Sequence, residues 1–209
     1  MIHPYLLKRR ILLSAFILVL GLLFIFRNTS FLIRAISTIF LLLVFYIFDH
    51  TFGVNFRLKH YFYIIVIAVT GFLLSPLYYL YPNYDKLLHF IQPILFFSMV
   101  YHMVSKLKLK QKWKILFSFF IIVGCIGIFE IGEYSLDYFF DLKYQGVFLR
   151  DISGIDKYDL YVDRIDDTMV DMVMGIAGAI YYVIAITLSY LGKKSKTKAK
   201  LKVTERRTR

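Results

Sequence analysis

The sequence has few charged residues and almost no cysteine. Only 19% of its 209 residues are charged, whereas 59% are hydrophobic, well above the roughly 45 to 50% apolar share of a soluble domain. This composition excludes a water-soluble globule. The single cysteine, Cys125, lies within an apolar run, so neither a disulfide framework nor a thiolate metal cluster can form within one chain.

The sequence also lacks the short motifs that identify common catalytic sites. It contains no HExxH, no GxSxG, no Walker phosphate loop and no paired-histidine motif of a lipid-phosphate phosphatase. The acidic stretch 163–171 has neither the DDxxD spacing of membrane prenyltransferases nor the DGxxAR element of CDP-alcohol phosphatidyltransferases. The sequence therefore points to no established enzyme class and leaves open whether the protein is an enzyme.

Six long apolar runs make up most of the chain. Each is close to the ~20 residues that a helix needs to cross ~30 Å of hydrocarbon. The predicted spans are Ile11–Phe26, Phe31–Phe48, Tyr61–Tyr81, Leu87–Val104, Ile115–Gly132 and Thr168–Leu191. We therefore expect an all-α fold, a polytopic membrane helix bundle with six transmembrane helices formed by residues 1–191.

The distribution of basic residues predicts the orientation of these spans. Nineteen of the 26 lysines and arginines fall before span one, after spans two and four, and in the tail 192–209. In a six-span topology these segments share one side of the membrane, and Lys and Arg collect on the cytoplasmic side. Both termini are therefore predicted to be cytoplasmic, in a multi-pass protein of the plasma membrane, with Lys8 reaching the lipid headgroups.

The net charge of +12 is explained by these connectors and by the tail. The tail has nine basic residues and one acid, and we expect it to be disordered and to lie along anionic lipid. Membrane lipid is thus the expected partner, and nucleic acid is not. A homo-oligomer is compatible with the sequence but is not indicated by it.

The connector between spans five and six is long and acidic. Residues 133–167 carry nine acids against four bases, and a segment of this length is expected to have structure of its own on the extracytoplasmic side. Aromatic residues are typical of a segment at the membrane interface, and a short amphipathic helix is one form open to it. These aromatics are Tyr134, Tyr138, Phe139, Phe140, Tyr144 and Phe148.

Ionisable residues recur at helical spacing at three span ends on the outer side. The sets are Asp85 and His89 in span four, Glu130, Glu133 and Asp137 in span five, and Asp163, Asp167 and Asp171 in span six. Each set shares one helix face, so we expect the sets to converge in one pocket. The strongest candidates are Glu130 and Asp171, because a charge among apolar neighbours in a span costs ~2.5 to 3.5 kcal/mol.

Such a cluster needs positive charge, for which a divalent cation, bound protons, or the bases Lys86, Arg150 and Arg164 are the candidates. In the first hypothesis the protein acts on an envelope lipid or glycan precursor. Arg164 and Lys86 would then bind the anionic head group, and a divalent cation is the candidate cofactor. Its candidate ligands are Asp85, His89, Glu130, Glu133, Asp167 and Asp171, of which Glu130, Asp171, Asp167 and His89 are also candidate catalytic acid–base groups.

The alternative hypothesis is not enzymatic. In it the same charges form structural ion pairs that join spans four, five and six of a scaffold or transporter component. Asp163 and Asp166 are expected to be solvated, and Asp167 could cap the last span. The small residues Gly175, Gly178 and Ala179 favour close packing of span six, and Gly124 and Gly127 that of span five.

The order of these motifs resembles the VanZ-like superfamily of small membrane proteins and, within it, the YjdF-like proteins. The relevant elements are D-K-x-x-H-F at 85–90, the acidic pair Glu130 and Glu133, and D-T-x-x-D-M at 167–172. The resemblance covers roughly Tyr61–Leu191, and Asp171 stands where the VanZ-like proteins usually have Asn. It implies a multi-span envelope protein, in some relatives linked to glycopeptide resistance, and no settled reaction.

Overall fold

The computed structural model describes residues 4–26, 29–140, 145–150 and 158–207. This part of the chain folds into six α-helices and one two-stranded antiparallel sheet. The helices are α1 (Pro4–Phe26), α2 (Thr29–Thr51), α3 (Leu58–Ala68), α4 (Tyr84–Ser105), α5 (Gln111–Phe140) and α6 (Arg164–Arg207), and the strands are β1 (Val147–Arg150) and β2 (Tyr158–Val162). The all-α bundle expected from the apolar runs is confirmed.

Within the part of the chain that the structure describes, four helical segments are long and apolar enough to cross a membrane. They are Phe31–Thr51, Tyr84–Ser105, Gln111–Phe140 and Arg164–Gly192. The helix α1 has 23 residues, whereas the apolar helix Leu58–Leu73 is shorter. The protein is therefore a multi-pass membrane protein by the length and composition of its helices.

The third predicted span, Tyr61–Tyr81, is not one regular helix. After Ala68 the chain forms a π-helical turn, Val69–Leu73, and then a 3-10 helix, Ser75–Tyr79. Pro76 lies in the first turn of the 3-10 helix, where its missing N–H removes no helical hydrogen bond. This irregular stretch ends beside the amino end of α4, with Tyr78 packed edge-on against Tyr84 at 5.1 Å.

Helix α4 packs against both α5 and α6. Their shared core includes Phe97, Ile122 and Ala179, all 2% exposed or less. Contact with α6 is close because a Cβ at Gly178 would lie 2.2 Å from the Phe90 carbonyl oxygen. The packing expected at Gly178 is thus found, and at Gly175 an added Cβ would lie 2.8 Å from Ile126.

The packing predicted for Gly124 and Gly127 is wrong. A Cβ added at either glycine meets nothing within 4 Å among the described residues. Neither glycine therefore brings α5 into close contact with a described neighbour.

A buried ion pair joins the three amino-terminal helices. Lys8 in α1 lies with its Nζ 3.0 Å from the Asp49 carboxylate near the end of α2. The same carboxylate accepts hydrogen bonds from the Tyr61 hydroxyl in α3, at 2.5 Å, and from the backbone N–H of Phe56, at 2.9 Å. The prediction that Lys8 reaches the headgroups is therefore wrong, because Asp49 is within reach and both side chains are buried.

We expect Tyr61→Phe to lower the free energy of unfolding by about 1.5 to 3 kcal/mol, the usual contribution of a hydrogen bond to a charged group. The substitution removes the hydroxyl donor to Asp49 and keeps the packed ring. Thermal unfolding in detergent measures the effect. Tyr138→Phe, at a side chain that is 72% exposed, is the matched control, and an equal loss of stability in both variants would contradict the assignment.

Helices α5 and α6 are longer than the spans predicted from the sequence. Helix α5 continues to Phe140, so Tyr134, Tyr138 and Phe139 lie on its last turns rather than on a separate helix. Helix α6 continues to Arg207, through the tail for which disorder is expected; Lys and Ala are good helix formers. Tyr144 and the segment 151–157 lie outside the described residues, as do the side chains of Phe148 and Arg150.

Candidate functional site

The first turns of α4 carry the two basic side chains around which the acidic residues collect. Lys86 in α4 forms ion pairs with Asp171 at 2.8 Å, with Asp85 at 3.4 Å, and with Asp167. Asp167 and Asp171 are both in α6 and are at most 3% exposed. One ammonium group therefore ties the amino end of α4 to the first two turns of α6.

His89, one turn further along α4, lies between two other carboxylates. Its Nε2 is 3.5 Å from Asp85, and its Nδ1 is 3.4 Å from the Oε1 of Glu130 in α5. The ring of Phe129 packs edge-on against the imidazole at 5.9 Å. Pro93, four residues after His89, lacks an N–H, so the His89 carbonyl receives no α-helical hydrogen bond from it.

Glu130 is the exceptional residue of the cluster. Its side chain is 4% exposed. Neither carboxylate oxygen receives a hydrogen bond of ordinary geometry from the described residues, although the Thr168 hydroxyl interacts with the carboxylate. The 3.4 Å approach of His89 does not provide one, because the geometry is not that of a hydrogen bond. A carboxylate is costly to bury with so few donors, so its environment is incomplete.

Two groups of side chains have the spacing of metal ligands. His89, Glu130 and Glu133 each offer one ligand atom, and these atoms lie within 4.8 Å of one another; the same is true of Asp85, His89 and Asp171. Lys86 already contacts two members of the second group. The first group has no such ion pair with a described lysine, so it is the better candidate for a bound ion.

Among the described side chains, the charges of the cluster do not balance. Five carboxylates, those of Asp85, Glu130, Glu133, Asp167 and Asp171, surround one ammonium group and one imidazole. Repulsion between like charges is stronger at the low dielectric of a helix bundle than in water. The cluster can therefore hold additional positive charge, as a metal ion or as protons.

The chain that enters β1 covers one side of the cluster. The backbone N–H of Gly146 donates to Asp167 at 2.8 Å, and that of Gln145 donates to Asp137 at 2.8 Å. The Gln145 side-chain amide also donates to the Thr168 hydroxyl at 3.0 Å. Gly146 has a φ of +88°, a conformation that favours glycine. By accepting these hydrogen bonds, Asp137 and Asp167 hold Gln145 and Gly146 beside the cluster.

The structure brings together Asp85, His89, Glu130, Glu133, Asp167 and Asp171, the residues proposed as ligands. It places Lys86 at their centre, on carboxylates rather than facing outward. Arg164 is exposed in the first turn of α6, next to the exposed Asp163 and Asp166. Asp167 is not a helix cap, because α6 begins at Arg164.

Sequence reasoning missed Gln145 and Gly146, which hold the loop on the cluster. The signal for Gly146 was weak, since one glycine in a long connector indicates a turn without indicating what the turn contacts. The Arg34 guanidinium lies 3.5 Å from the Leu73 carbonyl oxygen and 5.5 Å from the Phe31 ring.

A family model described as "Predicted membrane protein (DUF2238)" matches residues 2–193. No curated protein and no solved structure matches the chain. The matched region includes every residue of the acidic cluster.

Proposed function

The chain belongs to the family of predicted membrane proteins (DUF2238), and on this premise we propose that it binds a divalent cation in the acidic cluster. The bound ion would hold the anionic head group of an envelope lipid or glycan precursor. The proposal rests on one observation above all, the convergence of His89, the buried Glu130 and Glu133, whose ligand atoms lie within 4.8 Å of one another. A metal ion bound by Glu130, Glu133 and His89 would complete the environment of the Glu130 carboxylate.

The ligand set narrows the choice of ion. One imidazole and two carboxylates suit Zn²⁺ or Mn²⁺ better than Ca²⁺, which prefers six to eight oxygen ligands. Three protein ligands also leave coordination positions open, and a phosphate oxygen is a suitable occupant. In this arrangement Asp85 supports the site from outside by contacting His89 Nε2, and such contacts orient a ligating imidazole.

The positions of the basic residues indicate which of them could bind the head group. Lys86 has its ammonium group on three carboxylates, and it serves the head group only if a bound cation weakens those pairs. Arg164 is exposed at the start of α6 and is the better candidate for a direct contact with phosphate. His89, Glu130, Asp167 and Asp171 remain the candidate acid–base groups should a reaction follow binding.

Calorimetric titration of the purified full chain in detergent with Mn²⁺ and with Zn²⁺ tests the proposal. We expect saturable binding of one ion and at least a roughly tenfold loss of affinity in Glu130→Gln and Glu133→Gln, since even supporting residues contribute 10- to 100-fold to metal affinity. Asp166→Asn, an exposed acid of the same region, should bind as the native chain does. Absence of saturable binding, or equal affinity in Glu130→Gln, would refute the proposal.

The second candidate function is that of a scaffold or transporter component. It is favoured by the ion pairs of Lys86 with carboxylates of α4 and α6, because such ion pairs can join helices without taking part in a reaction. In that case Glu130→Gln would lower thermal stability in detergent, and metal binding would be undetectable in both the native protein and the variant.

The membrane topology and the wider family relation are inferred from the charge distribution and the motif order. We propose six spans with both termini in the cytoplasm of the plasma membrane, so that the cluster opens on the extracytoplasmic side, and contact between the tail and anionic lipid. We also propose that the family is related to the VanZ-like superfamily and its YjdF-like members. The motifs at 85–90 and 167–172 support this relation, because both contribute side chains to one cluster.

A further inference from the structure

A second candidate binding site lies on the outside of α5 and α6, away from the acidic cluster. It is a groove of about 290 Å³ between the two helices. Its lining residues are Lys112, Ile115, Leu116 and Phe119 of α5 and Ile180 and Val183 of α6. Five of these six side chains are apolar, and the sixth is a lysine near the amino end of α5.

The shape of the groove follows from the sequence. The four residues of α5 are spaced i, i+3, i+4 and i+7, and the two of α6 are three apart, so each set lies on one helix face. The groove is open to the outside of the membrane-spanning helices, and its lining is apolar except for Lys112. A hydrocarbon chain is therefore a suitable occupant.

The positive charge at the end of the groove favours a lipid with an anionic head group. Between residues 86 and 129 the sequence contains no Asp or Glu, and it places Lys106, Lys108, Lys110, Lys112 and Lys114 in a row before the apolar part of α5. Lys114 donates to the Ser105 carbonyl at 2.5 Å, whereas Lys112 is exposed at the groove, 5.5 Å from the Trp113 ring. A lysine near anionic lipid contributes favourably to binding.

We infer that this groove binds one acyl chain of an anionic phospholipid, whose phosphate head group contacts Lys112. The site is independent of the proposed cation site. It differs from general attraction between lysines and the membrane surface because it needs both the apolar groove and the one lysine that lines it.

The protein has an intrinsic fluorescent probe near the groove. Trp113 is the single tryptophan of the sequence and neighbours Lys112. The full chain is reconstituted in phosphatidylcholine, and increasing fractions of phosphatidylglycerol or phosphatidylcholine with brominated acyl chains are added. We expect phosphatidylglycerol to quench Trp113 fluorescence at a several-fold lower mole fraction than phosphatidylcholine.

Matched variants separate the groove from the surface charge. Lys112→Gln should abolish most of this preference, and Lys108→Gln, at an exposed lysine outside the groove, should retain it. Val183→Phe fills the groove and should also remove the preference, and native mass spectrometry should then detect one fewer retained phosphatidylglycerol. Equal quenching by both lipids, or an equal loss in Lys108→Gln, would overturn the inference. Circular dichroism verifies that each variant is folded.

Discussion

Substitution of Lys86 by methionine is expected to lower the free energy of unfolding by about 3 kcal/mol, because removal of one partner from a buried ion pair leaves charge without compensation. Lys86 contacts Asp85, Asp167 and Asp171, so its loss would leave three neighbouring carboxylates without their ammonium group. The variant should unfold at a clearly lower temperature in detergent, measured by circular dichroism or by a thiol-independent thermal shift assay.

The control for this prediction is Lys108→Met, at an exposed lysine, which should unfold at the native temperature. A rescue provides a stricter test. Adding Asp171→Asn to Lys86→Met removes one repelling charge and should recover part of the lost stability, as expected for residues in one network. If the two substitutions were simply additive, Lys86 would not stabilise the protein through Asp171.

Gly178→Ala is expected to have the second large effect, a loss of about 3 kcal/mol. The new Cβ would lie 2.2 Å from the Phe90 carbonyl oxygen, and because that atom belongs to the backbone of α4, the two helices must move apart. Overpacking in a close-packed interior typically costs about 1 to 3 kcal/mol, and here no flexible side chain can give way. Separation of α4 and α6 should also weaken the Lys86 ion pairs.

Gly127→Ala is the matched control for Gly178→Ala. It makes the same chemical change in a helix where nothing lies within 4 Å of the new atom, and alanine has a higher helix propensity than glycine. We therefore expect Gly127→Ala to be neutral or slightly stabilising in thermal unfolding. Equal destabilisation by both substitutions would mean that close packing at Gly178 is not the cause.

The convergence of the acidic residues could be predicted from the sequence. The spacing of Asp85 with His89, and of Asp167 with Asp171, places each pair on one helix face, and alternate spans bring these ends to one side. The partners within the cluster could not be predicted. Whether Lys86 faces a substrate or the carboxylates of α6 depends on the rotation of α4 about its axis, which the periodicity of a nearly all-apolar helix does not fix.

Two other features were outside the reach of sequence patterns. The break at Val69–Leu73 occurs within an apolar run, where hydropathy alone indicates one continuous span. The pairing of Lys8 with Asp49 joins residues 41 positions apart, and a basic flank before an apolar run is equally typical of headgroup contact. In both cases tertiary contacts decide between local alternatives that have similar sequence signals.

The loop over the cluster was predicted to be structured, but its contacts were not. Backbone N–H groups at Gln145 and Gly146 reach Asp137 and Asp167, and backbone donors leave no signature in side-chain chemistry. As a result, the sequence allows Asp167 to be a helix cap or a cation ligand, whereas in the fold it accepts a backbone hydrogen bond from Gly146 and forms an ion pair with Lys86.

The most direct test of the central proposal is an anomalous difference map from crystals of the full chain grown with Mn²⁺. We expect one peak at coordination distance, about 2 Å, from ligand atoms of His89, Glu130 and Glu133. If crystals exposed to a saturating concentration of Mn²⁺ showed no peak there, and Glu130 instead accepted hydrogen bonds from protein or water, the cation site would be contradicted.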